Sequence, residues 1–110
     1  MDKEALKERI EKIINELIEN GNVEIFGRID IDILDIDDLA LVKGNKIYFS
    51  YKVGKLSDKA LRYVVAHELA HLKFKRHSEK FWEIVRNICP SYEEGLKDLN
   101  RFLKQIEEEN

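Results

Sequence analysis

Apolar residues near the N-terminus recur every three or four positions. This spacing begins just after Asp2 and ends before Gly21, so it predicts a helix that Asp2 caps and Gly21 terminates. The apolar positions are Leu6, Ile10, Ile13, Ile14, Leu17 and Ile18. They fall on one face, which is expected to dock on a core.

Between residues 23 and 53 the spacing changes to a period of two. Ile29, Ile31 and Ile33 alternate with aspartates, as on a strand with one solvated face. The apolar segments 39–42 and 46–53 flank a turn at residues 43–45, which is typical of a β-hairpin. This region therefore predicts a small antiparallel sheet.

The C-terminal half predicts three helices, each introduced by a serine that can cap it. Ser57 precedes a helix that runs to about Lys75, and Ser78 precedes one that stops at Pro90. Ser91 and Glu94 have capping-box spacing ahead of a final apolar stripe. The predicted fold is α+β in a single domain, residues 1–110, with residues 91–110 as a C-terminal helix.

Composition narrows the class of protein. The chain has 110 residues, of which 44% are hydrophobic and 37% charged, which favours one folded domain over a disordered tail. The net charge of −3 argues against nucleic-acid binding. No apolar run is long enough for a bilayer, the first residues do not resemble a secretory signal, and Cys89 is the single cysteine, so a cytoplasmic, membrane-free protein is expected. The Lys, Glu and Ile bias resembles thermophilic proteins.

A candidate metal site lies in the first of these three helices. His67-Glu68-Leu69-Ala70-His71 is an HExxH sequence, and a separation of four residues places both imidazoles on one helix face, where they can share a metal ion. Glu68 can then reach a water on that ion without being a ligand, which is the geometry of a zinc hydrolase with Glu68 as general base. Chance matches to this motif are expected on the order of 0.01 times in a chain of this composition.

The helical wheel places Glu68 on the face that Leu61, Val64 and Leu72 occupy. A buried carboxylate costs several kcal/mol unless it is compensated. This cost indicates that Glu68 has a chemical task.

A catalytic zinc needs a third protein ligand and an open position. His77 lies six residues after His71, and it can share the metal only if the helix breaks within residues 73–76. The competing candidates are acidic residues on the later helices: Glu83, Glu93, Glu94 and, as a poorer choice, Glu79. His77 is favoured because Ser78 can begin a new helix immediately after it.

Several elements in this region together resemble a known family. The run Tyr63 to Leu72, followed by His77-Ser78 and Phe81-Trp82, resembles the YgjP-like metallopeptidase domain and the short proteins called minigluzincins. The resemblance implies an α+β gluzincin-like fold with one zinc ion on His67, His71 and His77.

The resemblance also implies how a peptide binds. The strand over residues 47–51 would be the upper edge of the sheet, and Tyr48, Phe49 and Ser50 would contact an extended peptide substrate. It further implies latency, in which the C-terminal segment covers the cleft.

The chain is thus expected to be a zinc metallopeptidase and possible zymogen. The apolar stripe of the last helix either packs on its own domain or docks on a second copy in a swapped homodimer. The alternative function is a zinc-stabilised binding or regulatory module without turnover, since no residue is singled out to stabilise the oxyanion.

Overall fold

The computed structural model describes residues 2–21 and 27–109, and it contains four helices and a three-stranded sheet. In chain order the elements are α1 Lys3–Gly21, β1 Asp30–Leu34, β2 Ala40–Lys43, β3 Lys46–Ser50, α2 Asp58–Lys73, α3 Glu79–Ile88 and α4 Tyr92–Glu109. The predicted α+β class and the order of elements are confirmed. The expected strand start near Val23 lies outside the described residues. Within the described residues, no helix combines the length and apolarity that a bilayer crossing needs.

Helix α1 forms as its spacing predicts. The Asp2 carboxylate accepts a hydrogen bond from the Ala5 amide at 3.0 Å and so caps the first turn. Five of the six apolar positions are buried, and Ile18 is partly buried. The buried face packs against the sheet and the helices α2 and α3.

The sheet is mixed, which corrects the expectation of an antiparallel one. Its strand order is β1-β3-β2, with β1 parallel to β3 and β2 antiparallel to β3. The hairpin between β2 and β3 is confirmed, and Gly44 takes a positive φ of 60° in its turn. Strand β3 lies between the two earlier strands and runs parallel to β1, an arrangement that alternation of side chains does not reveal.

Strand β3 is the central strand, so its prediction as the upper edge is wrong. Backbone groups on both sides of β3 pair with neighbouring strands, which leaves none for an added peptide. Phe49 and Ser50 are 0% and 1% exposed, and Tyr48 is partly buried. The strand also stops at Ser50, where a 3-10 turn, Tyr51–Lys55, replaces its expected continuation to Val53. The sheet edge nearest to α2 is β2.

Helices α2 and α3 begin at their predicted caps. The hydroxyl oxygens of Ser57 and Ser78 each accept a hydrogen bond from the backbone amide three residues later, over a distance of 3.2 Å. The capping box predicted for α4 is not formed in this way. The Glu94 amide bonds to the Ser91 carbonyl oxygen, and the Glu94 carboxylate lies 3.3 Å from Lys59 Nζ on α2. The carboxylate therefore serves an ion pair between helices.

Helix α4 folds back along α2 of its own chain. Gly95 allows a close approach, because a Cβ there would collide with the Lys59 carbonyl oxygen and lie 2.8 Å from the Tyr63 Cβ. Ser57 Oγ donates a hydrogen bond to Asp98 at 2.8 Å. These contacts hold α4 beside the HExxH helix, and exchange of α4 with a second copy stays a prediction.

Candidate metal centre

The three histidines converge at the C-terminal end of α2. His67 and His71 lie one turn apart on α2, and their ring centroids are 4.7 Å apart. His77 follows the α2–α3 turn and returns to them, so that one nitrogen from each ring lies within 4.8 Å of the others. The structure thus brings together the three residues that the sequence favoured.

The turn that returns His77 is built from short-range hydrogen bonds. Helix α2 ends at Lys73, and Phe74 takes an extended conformation, with φ −129° and ψ 121°. This is the break that residues 73–76 had to supply. The Ser78 amide bonds to the Arg76 carbonyl oxygen at 2.8 Å, and the Ser78 hydroxyl then caps α3. His77 is therefore fixed between a closed turn and a helix start.

The donor set fits a tetrahedral zinc ion. Zinc–nitrogen bonds of about 2.0–2.1 Å place ligand nitrogens roughly 3.3–3.4 Å apart. His71 Nε2 and His77 Nε2 are 3.1 Å apart. Three imidazoles leave one position open, as in catalytic zinc sites.

Two further features prepare the rings to bind a cation. His71 Nδ1 lies 3.1 Å from the Phe74 carbonyl oxygen, and a proton on Nδ1 that is donated there leaves Nε2 free as a ligand. Burial, together with the neighbouring His67 and His71, lowers the pKa of His77. A lowered pKa favours the neutral ring, which is the form that binds metals.

Glu68 is buried beside the histidine cluster, as the helical wheel indicates. The residue is 8% exposed, and its Oε2 lies 3.3 Å from His67 Nδ1. The residues grouped as potential ligands are the three histidines, so the carboxylate stands next to the group without being part of it. This is the arrangement that a general base requires.

The competing acidic residues do not join the cluster. Glu93 accepts a hydrogen bond from the Tyr92 hydroxyl at 3.3 Å, and Glu94 pairs with Lys59. Glu79 and Glu83 are exposed on α3. Among the described residues, no glutamate shares the group that the histidines form.

Phe81 forms the floor of the histidine cluster. It is 0% exposed, and its ring centroid lies 5.1, 4.7 and 5.0 Å from those of His67, His71 and His77. Phe81 belongs to one of the motifs that carry the family resemblance, but the motif alone assigns it no role. Its helical spacing with Val85 and Ile88 was the available signal, because residues at this spacing share one helix face, which is the buried face of α3.

Two cavities meet at Glu68. The first, called the apolar cavity below, has a volume of about 310 Å³ and is lined by Leu39, Ala40, Tyr63, Val64, Leu96 and Leu99 beside His67. The second, called the lysine cavity, has a volume of about 540 Å³ and is lined by Leu41, Val42, Gly44, Leu72, Lys73 and Lys75 beside His71. The edge strand β2 borders both, so it forms the rim of one cleft.

Tyr63 is the tyrosine that shares a cavity with Glu68. It is 7% exposed, and its ring centroid lies 5.8 Å from that of His67. Burial and the nearby Glu68 and Tyr92 raise the pKa of Tyr63. Its hydroxyl is therefore protonated at neutral pH and is able to donate a hydrogen bond.

A small α+β fold whose HExxH helix meets a third histidine is the arrangement expected of a metallopeptidase domain of the zincin class. The family comparison agrees, because residues 3–102 match the model of the YgjP-like metallopeptidase domain. The chain belongs to this family, and the resemblance drawn from its motifs is confirmed.

Solved structures support the fold. The chain is similar to the metallopeptidase zymogen abylysin of Pyrococcus abyssi, with a TM-score of 0.74 and 22% identity over 89% of this chain and 95% of that one. It is also similar to the zymogen jannalysin of Methanocaldococcus jannaschii, with a TM-score of 0.62 and 27% identity over 84% and 96% of the two chains.

A curated relative has a different activity in its name. Over 46 residues, or 42% of this chain, the sequence is 39% identical to a UTP pyrophosphatase of Escherichia coli strain K12. The matched part is 28% of that relative's length. The chain thus shares only a segment with it.

Proposed function

We propose that the protein is a zinc-dependent metallopeptidase that binds one zinc ion per chain through His67, His71 and His77. The observation that carries the proposal is the convergence of three imidazoles beside the buried carboxylate of Glu68. Membership of a metallopeptidase family supports peptide-bond hydrolysis as the reaction.

The mechanism divides the chemistry between the metal and the chain. When bound, zinc supplies Lewis-acid polarisation of the scissile carbonyl and lowers the pKa of the attacking water. Glu68 accepts the proton of that water and passes it to the leaving nitrogen. The Phe74 carbonyl holds the His71 ring in place. Tyr63 is the candidate donor to the oxyanion, since it shares a cavity with Glu68.

We assign peptide binding to the rim strand β2 in place of Tyr48, Phe49 and Ser50. Strand β2 has one neighbour in the described sheet, so its other edge is available for an extended chain. It borders both cavities that meet at Glu68, so a peptide paired with it passes the general base.

The position of α4 supports latency as part of the proposal. Leu96 and Leu99 of α4 form one wall of the apolar cavity. A substrate side chain that enters this cavity therefore packs against α4, so the position of α4 sets the room that the cavity offers. The two structural neighbours are both described as zymogens.

The test combines loosening of α4 with loss of the base. The zinc-loaded full chain is assayed on a fluorogenic peptide mixture as wild type, Gly95→Val and Gly95→Val/Glu68→Gln. The bulky residue pushes α4 from α2, so turnover is expected to rise, and the added Glu68→Gln change should lower it by about 10²-fold or more while zinc content stays equal. Full turnover without Glu68 would contradict the mechanism. A folded, zinc-loaded chain that cleaves nothing in any form would favour the non-catalytic module.

A second candidate function is hydrolysis of a phosphoanhydride. Lys73 and Lys75 line the cavity that contains Glu68, and lysines are common partners of phosphate groups. The partial match to a UTP pyrophosphatase points the same way. Release of pyrophosphate from UTP by the zinc-loaded wild type, and its loss in Glu68→Gln, would favour this activity over peptide cleavage.

A further inference from the structure

The lysine cavity is lined by two cations, Lys73 and Lys75, and by the buried carboxylate of Glu68. Lys73 is the last residue of α2, and Lys75 lies in the α2–α3 turn. Both side chains are exposed, and neither is part of an ion pair in the described ranges 2–21 and 27–109. They are therefore available to a negatively charged group that enters beside His71.

The opposite end of the cleft has the opposite character. Its cavity is lined mainly by apolar side chains, and the charged residues among them are two acidic ones, Asp38 and Glu68. Glu68 lines both cavities, but no lysine or arginine lines this one, so an anionic group gains no ion pair there. The two ends of the cleft along β2 therefore differ in charge, because lysines line only the end beside His71.

The direction of a bound peptide follows from how β2 and α2 lie together. The start of β2, at Ala40, shares a cavity with Val64, and its end, near Val42, shares the other cavity with Leu72. Both elements therefore pass Glu68 in the same direction. Antiparallel pairing is the more stable ladder, so we take the peptide to pair antiparallel with β2. It then runs in the opposite direction to β2, and its N-terminal part lies at the lysine end.

Building on the proposed peptidase function, we propose that Lys73 and Lys75 form a subsite that selects an acidic side chain on the N-terminal side of the scissile bond. The apolar cavity then receives an apolar side chain on the C-terminal side. The preferred substrate is a peptide with an acidic side chain before the scissile bond and an apolar side chain after it.

The expected selectivity is moderate, because both lysines are exposed. Exposed ion pairs contribute little each, and two of them together correspond to roughly a fivefold preference for Asp over Asn. The preference should fade with added salt, since the Debye length falls to about 3 Å at 1 M.

Binding of product-like peptides tests this subsite in the full chain. Short peptides that end in a free carboxylate and carry Asp or Asn at the last or the penultimate position mimic the N-terminal product. They do not need the apolar cavity that α4 borders. Their dissociation constants are measured on zinc-loaded Glu68→Gln, alone and combined with Lys73→Gln/Lys75→Gln. The matched control is Lys55→Gln/Lys104→Gln, which removes two exposed lysines that line neither cavity.

The expected result is an Asp-to-Asn affinity ratio of about five at low salt, near one in the Lys73/Lys75 variant and unchanged in the control. Equal affinity for Asp and Asn, or a ratio that survives loss of both lysines, would overturn the subsite and leave the proposed peptidase intact. Absence of binding by any peptide to the zinc-loaded protein would overturn the subsite and count against the proposed function as well. UTP that binds through the same lysines more tightly than the Asp peptide would reassign them to phosphate.

Discussion

The turns after α2 and after α3 place the next helix by different means. In the first, hydrogen bonds within residues 70–81 fix the chain: Ala70 to Phe74, His71 to Phe74, and Ser78 to Phe81. In the second, Tyr92 bonds back to Cys89, but the direction of α4 depends on contacts with residues far away in sequence. These contacts are the Gly95 approach to Lys59 and the Ser57 bond to Asp98.

The difference indicates that the histidine cluster and the position of α4 are separable. The metal centre is encoded within one short stretch, so it should form wherever α2 and α3 form. The position of α4 depends on its packing against α2, and this packing can weaken without moving a histidine. The proposed latency requires this kind of independence.

The largest expected effect comes from removing the floor of the centre. Phe81→Ala should lower the free energy of unfolding by about 3–5 kcal/mol, because it empties a fully buried position. It should also weaken zinc binding by about tenfold, since three ligand rings lose their support.

Leu99→Ala on α4 is the matched comparison for the other turn. It should cost about 2–3 kcal/mol, because Leu99 is 7% exposed, and leave zinc affinity unchanged. Urea unfolding and competition with a zinc chelator measure the two quantities. A loss of zinc affinity in Leu99→Ala would show that the histidine cluster and α4 are coupled.

Gly95→Ala tests the packing of α4 on α2 through the sign of its effect on the free energy of unfolding. Helix propensity alone predicts stabilisation by about 1 kcal/mol, whereas the collision with the Lys59 carbonyl predicts a net loss of about 1–2 kcal/mol. Asn100→Ala, at an exposed position of the same helix, is the control and should be stabilising by a few tenths of a kcal/mol. Stabilisation by both changes would mean that α4 does not pack on α2 in solution.

The two capping serines provide a paired comparison of the turns. Ser78→Ala and Ser57→Ala should each cost about 1 kcal/mol through loss of a helix cap. Only Ser78→Ala should weaken zinc binding, because Ser78 follows His77. Only Ser57→Ala should increase amide hydrogen exchange in α4, because it also breaks the bond to Asp98. Equal changes in zinc affinity and in hydrogen exchange for the two variants would contradict the proposed difference between the two turns.

The smallest expected effect concerns the ion pair between α2 and α4. Lys59 and Glu94 are 60% and 62% exposed, so Lys59→Gln should change the free energy of unfolding by less than about 0.5 kcal/mol. A larger change in thermal unfolding would mean that charge, rather than the Gly95 contact, holds α4.

Short-range signals explain what the sequence could predict. The caps at Asp2, Ser57 and Ser78 and the HExxH spacing act within one or two turns, so α1, α2, α3 and the return of His77 could be placed.

Long-range pairing explains what the sequence could not predict. The insertion of β3 between β1 and β2, and with it the loss of Tyr48 to Ser50 as an edge, depends on residues that alternation does not relate. The predicted capping box does not form, because the Glu94 carboxylate pairs instead with Lys59 on α2. The direction of α4 depends on Gly95, whose role appears only when Lys59 is beside it.

The proposed three-histidine zinc site is tested most directly by comparing the zinc content of the wild type with that of His77→Ala. Elemental analysis and chelator competition on the wild type, His77→Ala and Glu68→Gln should find close to one zinc per chain and equal affinity in the wild type and Glu68→Gln. His77→Ala should bind zinc at least tenfold more weakly, because a third of the ligand set is gone. One tightly bound zinc in His77→Ala, with affinity equal to the wild type, would contradict the three-histidine centre.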